Sequence, residues 1–202
     1  MKTIEAIYSR RSIKAFDPEH RLTAEEEQTL LEATIQAPTS FNIQHWRFVL
    51  LKDPALRQRI RTEFGNDQAQ MTDASLLVLF TADVKAWAKD PARYWVNAPK
   101  EVADLLVGWM GPFHEGRDAL QRDEAQRSIG MAMQTLMLAA QELGYQSCPM
   151  IGFDVDAVAD LVNLPEDHVI GPMVAIGKGT KEAWPKPGQL PLGEIVVENR
   201  FG

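Results

Sequence analysis

Residues 123–143 limit the possible folds of this chain more than any other stretch. They read as one long helix in which Ile129, Met133, Leu136, Met137 and Ala140 recur at helical spacing, with Gly144 as the C-terminal stop. The apolar residues occupy more than one face, so the helix belongs at the centre of a fold or between subunits. Other elements must cover it. Strands are predicted at 47–51, read as buried, at 75–81 (S-L-L-V-L-F-T) and at 169–177. A short helix at 3–9 places Ile4 and Ile7 on one face. A second opens at the Thr23/Glu26 capping box, runs through Leu30, Leu31, Ala33, Thr34 and Ala37, and is stopped by Pro38. Two more are predicted from Pro54 to about Thr62 and at 156–162, with a Trp-rich polar region (Trp87, Trp95, Trp109) left unassigned. Helices outnumber strands and several separate the strand candidates, which argues for an α+β or mixed α/β fold.

The 202 residues suit a single domain spanning 1–202, without internal repeats or low-complexity tracts. A Pro/Gly-rich segment at 184–193 is the nearest thing to a linker. The tail at 190–201 reads as extended and moderately apolar. Together with the long helix it favours a homodimer over a monomer whose tail packs on its own body. A net charge of -7 argues against a nucleic-acid partner, which usually needs clustered Lys and Arg in excess. Cys148 is the only cysteine, so no intrachain disulfide forms. Acid and arginine interrupt the N-terminus where an export signal would be apolar, and no apolar run approaches the roughly 20 residues of a membrane span. A cytoplasmic location is expected.

Four short segments carry chemical interest. A-P-T-S-F-N-I-Q-H-W at 37–46 sets Thr39, Ser40, Asn42 and Gln44 among Pro38, Phe41, Ile43 and Trp46. Neutral donors and acceptors framed by apolar bulk suit the edge of a flat heterocycle, although the same residue types make ordinary loops. Arg10, Arg11, Ser12 and Lys14 either complement the end of the first helix or clamp a phosphate and an electron-rich ring oxygen. At 148–153, C-P-M-I-G-F offers a glycine that lets backbone approach a planar ligand, or a simple turn. At 184–189, W-P-K-P-G-Q is a rigid polar loop with one cation.

In this order and spacing, R-R-S-I-K-A-F-D at 10–17, A-P-T-S-F-N-I-Q-H-W at 37–46, P-M-I-G-F-D at 149–154 and W-P-K-P-G-Q-L-P at 184–191 resemble the FMN-dependent nitroreductase family over essentially the whole chain. The resemblance implies a nitroreductase-like α+β fold, with a central, mostly antiparallel sheet surrounded by helices, a C-terminal extended arm and an intertwined homodimer. It implies FMN at the subunit interface. Arg10, Arg11, Ser12 and Lys14 would hold the phosphate and the pyrimidine edge from one subunit, with Lys186 near the phosphate. Pro38, Thr39, Ser40, Asn42 and Gln44 would reach the same flavin from the other. Pro149, Met150, Ile151 and Gly152 would line the ring, with a backbone N–H near N5, and Gln68 would add a polar contact. Gln189 stands where many relatives carry arginine, and Ile151 where some carry glutamate.

The implied reaction is ping-pong transfer of hydride from NAD(P)H through flavin N5 to a nitroaromatic or quinone, with no side chain named as general acid or base. A flavin carrier without turnover, or a flavin reductase or dehalogenase on the same fold, are the alternatives. His20, His45, His114 and His168 are scattered and no metal site is expected. Gly177-Lys178-Gly179 lacks the third glycine of a dinucleotide fingerprint. Cys148 is read as a buried small residue.

Overall fold

The computed structural model describes residues 2–201. Strands β1 (Trp46–Leu50), β2 (Leu76–Asp83), β3 (Gln146–Met150) and β4 (His168–Gly177) form one sheet in the order β1-β2-β4-β3, with every neighbouring pair antiparallel. All positions of β2 are buried, because both faces of the sheet are covered. Val78 and Phe80 face one apolar cluster, with Leu30 of α2 (Ala24–Thr34) and Ile129, Leu136 and Ala140 of α6 (Asp118–Glu142). Leu77 and Leu79 face the other, with Ile13, Phe16, Ile60, Met71 and Val158. The result is a sheet between two helical layers.

The helix read at 123–143 is therefore the centre of one layer, and it starts earlier than its periodicity indicates, at Asp118. Gly144 follows it at φ +82°, the left-handed conformation that glycine adopts readily. Where α6 crosses the sheet, β4 carries Gly171. A Cβ there would lie 2.9 Å from Ile129 Cγ2 and 3.2 Å from the Phe80 carbonyl oxygen, so only a hydrogen side chain lets the layers close.

The capping box is present: Thr23 Oγ1 accepts from the Glu26 N–H, and Glu26 accepts from the Thr23 N–H. Glu26 also accepts from the Tyr145 hydroxyl at 2.7 Å, which pushes the phenol up to about 12 and the carboxyl down. Helix α1 (Thr3–Ser9) forms as read, but Ile4 and Ile7 are both exposed.

Several expectations are corrected. The first strand is an edge strand rather than a buried one, with Arg47 exposed and Phe48 to Leu50 only partly covered. A further strand, β3, precedes the one read at 169–177, and holds Pro149 opposite Val174. Proline at a sheet edge removes no ladder bond that the sheet needs, so a residue that reads as a breaker sits inside a strand. Helix α5 (Lys100–His114) occupies part of the unassigned Trp-rich region; Gly108, Gly111 and Pro112 hide it from propensity reasoning. Helix α3 (Pro54–Arg59) widens into a π turn at Ile60–Phe64, and α4 (Gln70–Asp73) and α7 (Val155–Leu161) complete the second layer. The tail is not wholly extended, because α8 (Leu192–Ile195) forms one turn. Nor does it pack on its own body: Trp184 is 89%, Leu192 74% and Phe201 86% exposed.

The Gly171 crossing gives a test. Gly171→Ala and Ile129→Ala should each destabilise the fold, by about 1–3 and about 2–5 kcal/mol respectively. In chemical denaturation the double variant should lose less than the sum, because truncating Ile129 opens the space that the new methyl group needs.

Candidate cofactor site

The end of α1 passes directly onto β3. The Ile13 N–H donates to the Ser147 carbonyl at 3.1 Å, and Ser12 bridges to Ser147, so the basic segment lies along the free edge of that strand. Arg10 and Lys14 both act electrostatically on Cys148, whose thiol is pushed up by burial against their pull. Arg10 Nη1 and Ser147 Oγ are buried with no hydrogen-bond partner among the described residues. Arg11 differs: its Nη1 donates to the carbonyls of Tyr8 (2.7 Å) and Arg10 (2.8 Å), which gives it the helix-end role.

Beyond β3 the chain turns at Ile151 and Gly152. Asn66 Nδ2 (3.1 Å) and Gln68 Nε2 (2.8 Å) both donate to the Gly152 carbonyl, which fixes the peptide plane of the turn. Gln68 Nε2 also donates to the Gly65 carbonyl, and Gln68 Oε1 accepts from the buried Gln70. The Gln68 amide therefore braces the Gly152 turn from behind. Ile151 stands 79% exposed beside a cleft of about 550 Å³ lined also by Asn66, Gly152 and Phe153. An apolar side chain displayed beside a fixed polar turn is arranged for contact.

The 37–46 segment forms a second polar centre, at the opposite edge of the sheet. Phe41 (φ 51°), Asn42 (φ 53°) and Gln44 (φ 53°) all adopt the left-handed conformation without being glycine, at roughly 1–2 kcal/mol each. Such strain persists only where packing over-determines it, and it gathers at ligand sites. Here Phe41 is held against Phe113 (5.3 Å) and His114 (5.7 Å). Asn42 Nδ2 donates to the Tyr94 carbonyl at 2.8 Å, Thr39 Oγ1 accepts from the Gln44 N–H at 3.0 Å, and Gln44 Nε2 donates to the Asn42 carbonyl at 3.3 Å. Pro38 is exposed, whereas Ser40 Oγ is buried without a partner among the described residues.

The loop is anchored below by His45, fully buried. The Ser128 hydroxyl donates to the Glu124 carbonyl, so His45 Nδ1 carries the proton of its 3.0 Å bond to Ser128, and Nε2 is left as a lone pair. Burial and the neighbouring His114 push His45 down to about 4; burial lowers His114 as well. Sequence reading left these histidines scattered, but the fold brings His114 against Phe41 and Trp87 and close enough to His45 to act on it electrostatically.

The candidate site residues thus fall into separate groups. Arg10, Ser12, Lys14, Gln68, Pro149, Met150, Ile151 and Gly152 gather at the β3 edge, while Pro38, Thr39, Ser40, Asn42 and Gln44 lie at the β1 edge. Both turns sit at the same end of the sheet, but β2 and β4 separate their strands, roughly 14 Å across. Lys186 and Gln189 are exposed in the tail and join neither group by a hydrogen bond or ion pair among the described residues. Sequence reading missed Ser147, which nothing but burial marks.

Asp83, Asp167 and His168 form a group with metal-ligand geometry, but Lys89 Nζ sits against Asp83 at 2.8 Å and Asp167 at 2.5 Å, an ammonium in the place a cation would take.

His45 sets a pH dependence. Its folded value near 4 lies below its ordinary 6.5, so its contribution is complete above pH 6.5 and is lost as pH falls from 6.5 towards 4. In urea denaturation at stepped pH, His45→Asn should flatten the acid-side loss of stability, by up to about 3 kcal/mol over that window.

The model of the nitroreductase family, described as "Nitroreductase family", matches residues 7–178. Protein DrgA of Synechocystis sp. (strain ATCC 27184 / PCC 6803 / Kazusa) is 66% identical over 201 residues, covering 97% of this chain and 95% of that one. MhqN of Bacillus subtilis (strain 168), assigned by name to the NAD(P)H nitroreductases, is 29% identical over 94% of this chain and 95% of its own. Among solved structures, a nitroreductase-type protein from Exiguobacterium sibiricum 255-15 in complex with FMN superposes with a TM-score of 0.89 at 25% identity, covering 98% and 97% of the two chains. The chain belongs to the nitroreductase family.

Proposed function

We propose that the protein is an FMN-dependent oxidoreductase that takes hydride from NAD(P)H and reduces nitroaromatic or quinone acceptors by a ping-pong route. The observation that carries this reading is a set of buried, unpartnered polar atoms in and beside the family motifs: Arg10 Nη1 and, two residues before the 149–154 motif, Ser147 Oγ at one edge, and Ser40 Oγ at the other. Buried polar atoms without partners are costly, and a ligand with phosphate and carbonyl oxygens satisfies this donor set. The FMN complex of the Exiguobacterium relative and the name of MhqN point the same way.

FMN, when bound, supplies the two-electron chemistry at N5 between the nicotinamide and the acceptor. The chain's own work is binding, orientation and access. Arg10 and Lys14 present positive charge to a phosphate and to the electron-rich edge of the ring, with Lys186 supplying a further cation from the tail. The Gly152 turn, braced by Asn66 and Gln68, fixes backbone against the ring, and Ile151 keeps that surface apolar where a carboxylate would admit water. Ser40 and Asn42 bring neutral hydrogen-bonding groups to a planar edge.

The two polar groups belong to different subunits in this reading. One chain holds them at opposite edges of its sheet, and the exposed Tyr8, Trp109, Trp184, Leu192 and Phe201 provide apolar surface for a second copy to cover. The reading takes the protein as a homodimer of single-domain chains working in the cytoplasm.

Purified protein should be yellow, and its visible absorbance should bleach when NADPH or NADH is added anaerobically. Bound FMN without bleaching by either donor would favour a carrier role, and a colourless protein that does not take up FMN would contradict the reading. Ser40→Ala separates ligand contact from loop structure. The FMN-free variant should be at least as stable as the parent, since it loses an unpaired buried hydroxyl, while FMN affinity measured by fluorescence quenching weakens by about 0.5–1.5 kcal/mol.

A further inference from the structure

Beside the 37–46 loop, where β1 begins, lies a cleft of about 430 Å³ lined by Gln44, Trp46, Arg47, Arg93 and Tyr94. Two of its five lining residues are arginines, and none is acidic. Arg93 belongs to the 3₁₀ turn at Pro91–Trp95 and is exposed; its guanidinium lies 5.8 Å from the Tyr94 ring centroid and has no ion pair among the described residues. Arg47 is held in place by its own backbone, with Nη1 donating to the carbonyls of Gln44 (3.0 Å) and Trp46 (2.7 Å). Its nearest carboxylate oxygen, Asp83 Oδ2, is 3.8 Å from Nη2 and already contacts Lys89 Nζ at 2.8 Å. Lys89 also contacts Asp167 at 2.5 Å, so three cations, Lys89, Arg47 and the unpaired Arg93, stand against two carboxylates, and the cleft keeps an excess of positive charge in a chain whose net charge is -7.

Two guanidinium groups over one cleft match a dianionic phosphate, which they can hold with several charged hydrogen bonds. The Asn42–Tyr94 bond ties the wall of the cleft to the loop assigned above to the flavin. A donor with its nicotinamide over that flavin reaches away from the ring with its adenosine end, and the 2′-phosphate is the one group that distinguishes NADPH from NADH.

We infer that Arg47 and Arg93 form the receiving site for the 2′-phosphate of the nicotinamide donor, so that the protein uses NADPH in preference to NADH. This rests on the oxidoreductase reading above and adds its donor specificity. The diphosphate common to both donors is the competing occupant, and it would give the cleft no power to discriminate.

The test is steady-state kinetics of the FMN-loaded protein with a fixed quinone acceptor, comparing NADPH and NADH for the parent, Arg93→Gln and Arg47→Gln, with flavin content as the check of folding. The parent should favour NADPH in kcat/KM by about tenfold or more, and Arg93→Gln should reduce that ratio by about tenfold, with Arg47→Gln acting in the same direction. Adenosine 2′,5′-bisphosphate should inhibit the parent competitively against NADPH, 5′-AMP should do so far more weakly, and Arg93→Gln should remove the difference. Equal use of both donors by the parent, or a preference for NADPH that survives both substitutions, overturns the inference while leaving the oxidoreductase reading intact. Equal losses with both donors in Arg93→Gln overturn it in favour of the diphosphate. Failure of both donors to reduce the flavin overturns the two together.

Discussion

The packing of α6 across the sheet is the contact on which the rest of the structure depends. Ile129 enters the gap left by Gly171, and Leu136 and Ala140 close over Val78, Phe80, Val174 and Ile176. With β2 fully buried and β4 beside it, β1 and β3 stand as the two edge strands of the sheet. Each edge then carries one polar centre: the basic segment and the Gly152 turn along β3, and the strained 37–46 loop ahead of β1. A core contact thus sets the geometry of the site, because it sets the width of the sheet between the two centres.

That width explains why neither centre is complete. Arg10 and Ser147 keep buried polar atoms without partners at one edge and Ser40 at the other, and nothing within the chain can bring them together. The left-handed Phe41, Asn42 and Gln44 are held by Phe113, His114 and Tyr94 and by bonds within the loop, which still leave Ser40 Oγ unpartnered among the described residues. The Lys89 bridge between Asp83 and Asp167 steadies the same end of the sheet and shares Asp83 with Arg47.

Legibility in the sequence followed the range of the interactions. The capping box at Thr23, the stop at Gly144 and the apolar run of β2 are set by neighbours within a few residues, and all three lie where the pattern places them. Helix α5 was hidden because Gly108, Gly111 and Pro112 are poor helix formers, and tertiary contacts such as buried Met110 and His114 override them. Strand β3 was hidden because Pro149 is harmless only at a sheet edge, and edge position is a property of the whole sheet. The motif residues were visible as a set, but the assignment of Gln68 to bracing Gly152 and of Arg11 to the end of α1 needed coordinates, since amides and guanidinium groups serve carbonyls and ligands equally well. Ser147 carries no local signal at all.

The central claim is that one flavin is held by the β3 edge of one subunit and the 37–46 loop of another. Mixed dimers test it most directly: subunits carrying Arg10→Ala are refolded together with differently tagged subunits carrying both Ser40→Ala and Asn42→Ala, and the hybrid is isolated and titrated with FMN. Sharing across the interface places both defects in one site and leaves the other intact, so the hybrid should bind one FMN per dimer with the affinity of the parent. Two weakened sites with none at the affinity of the parent, or tight FMN binding by a single chain, would contradict it.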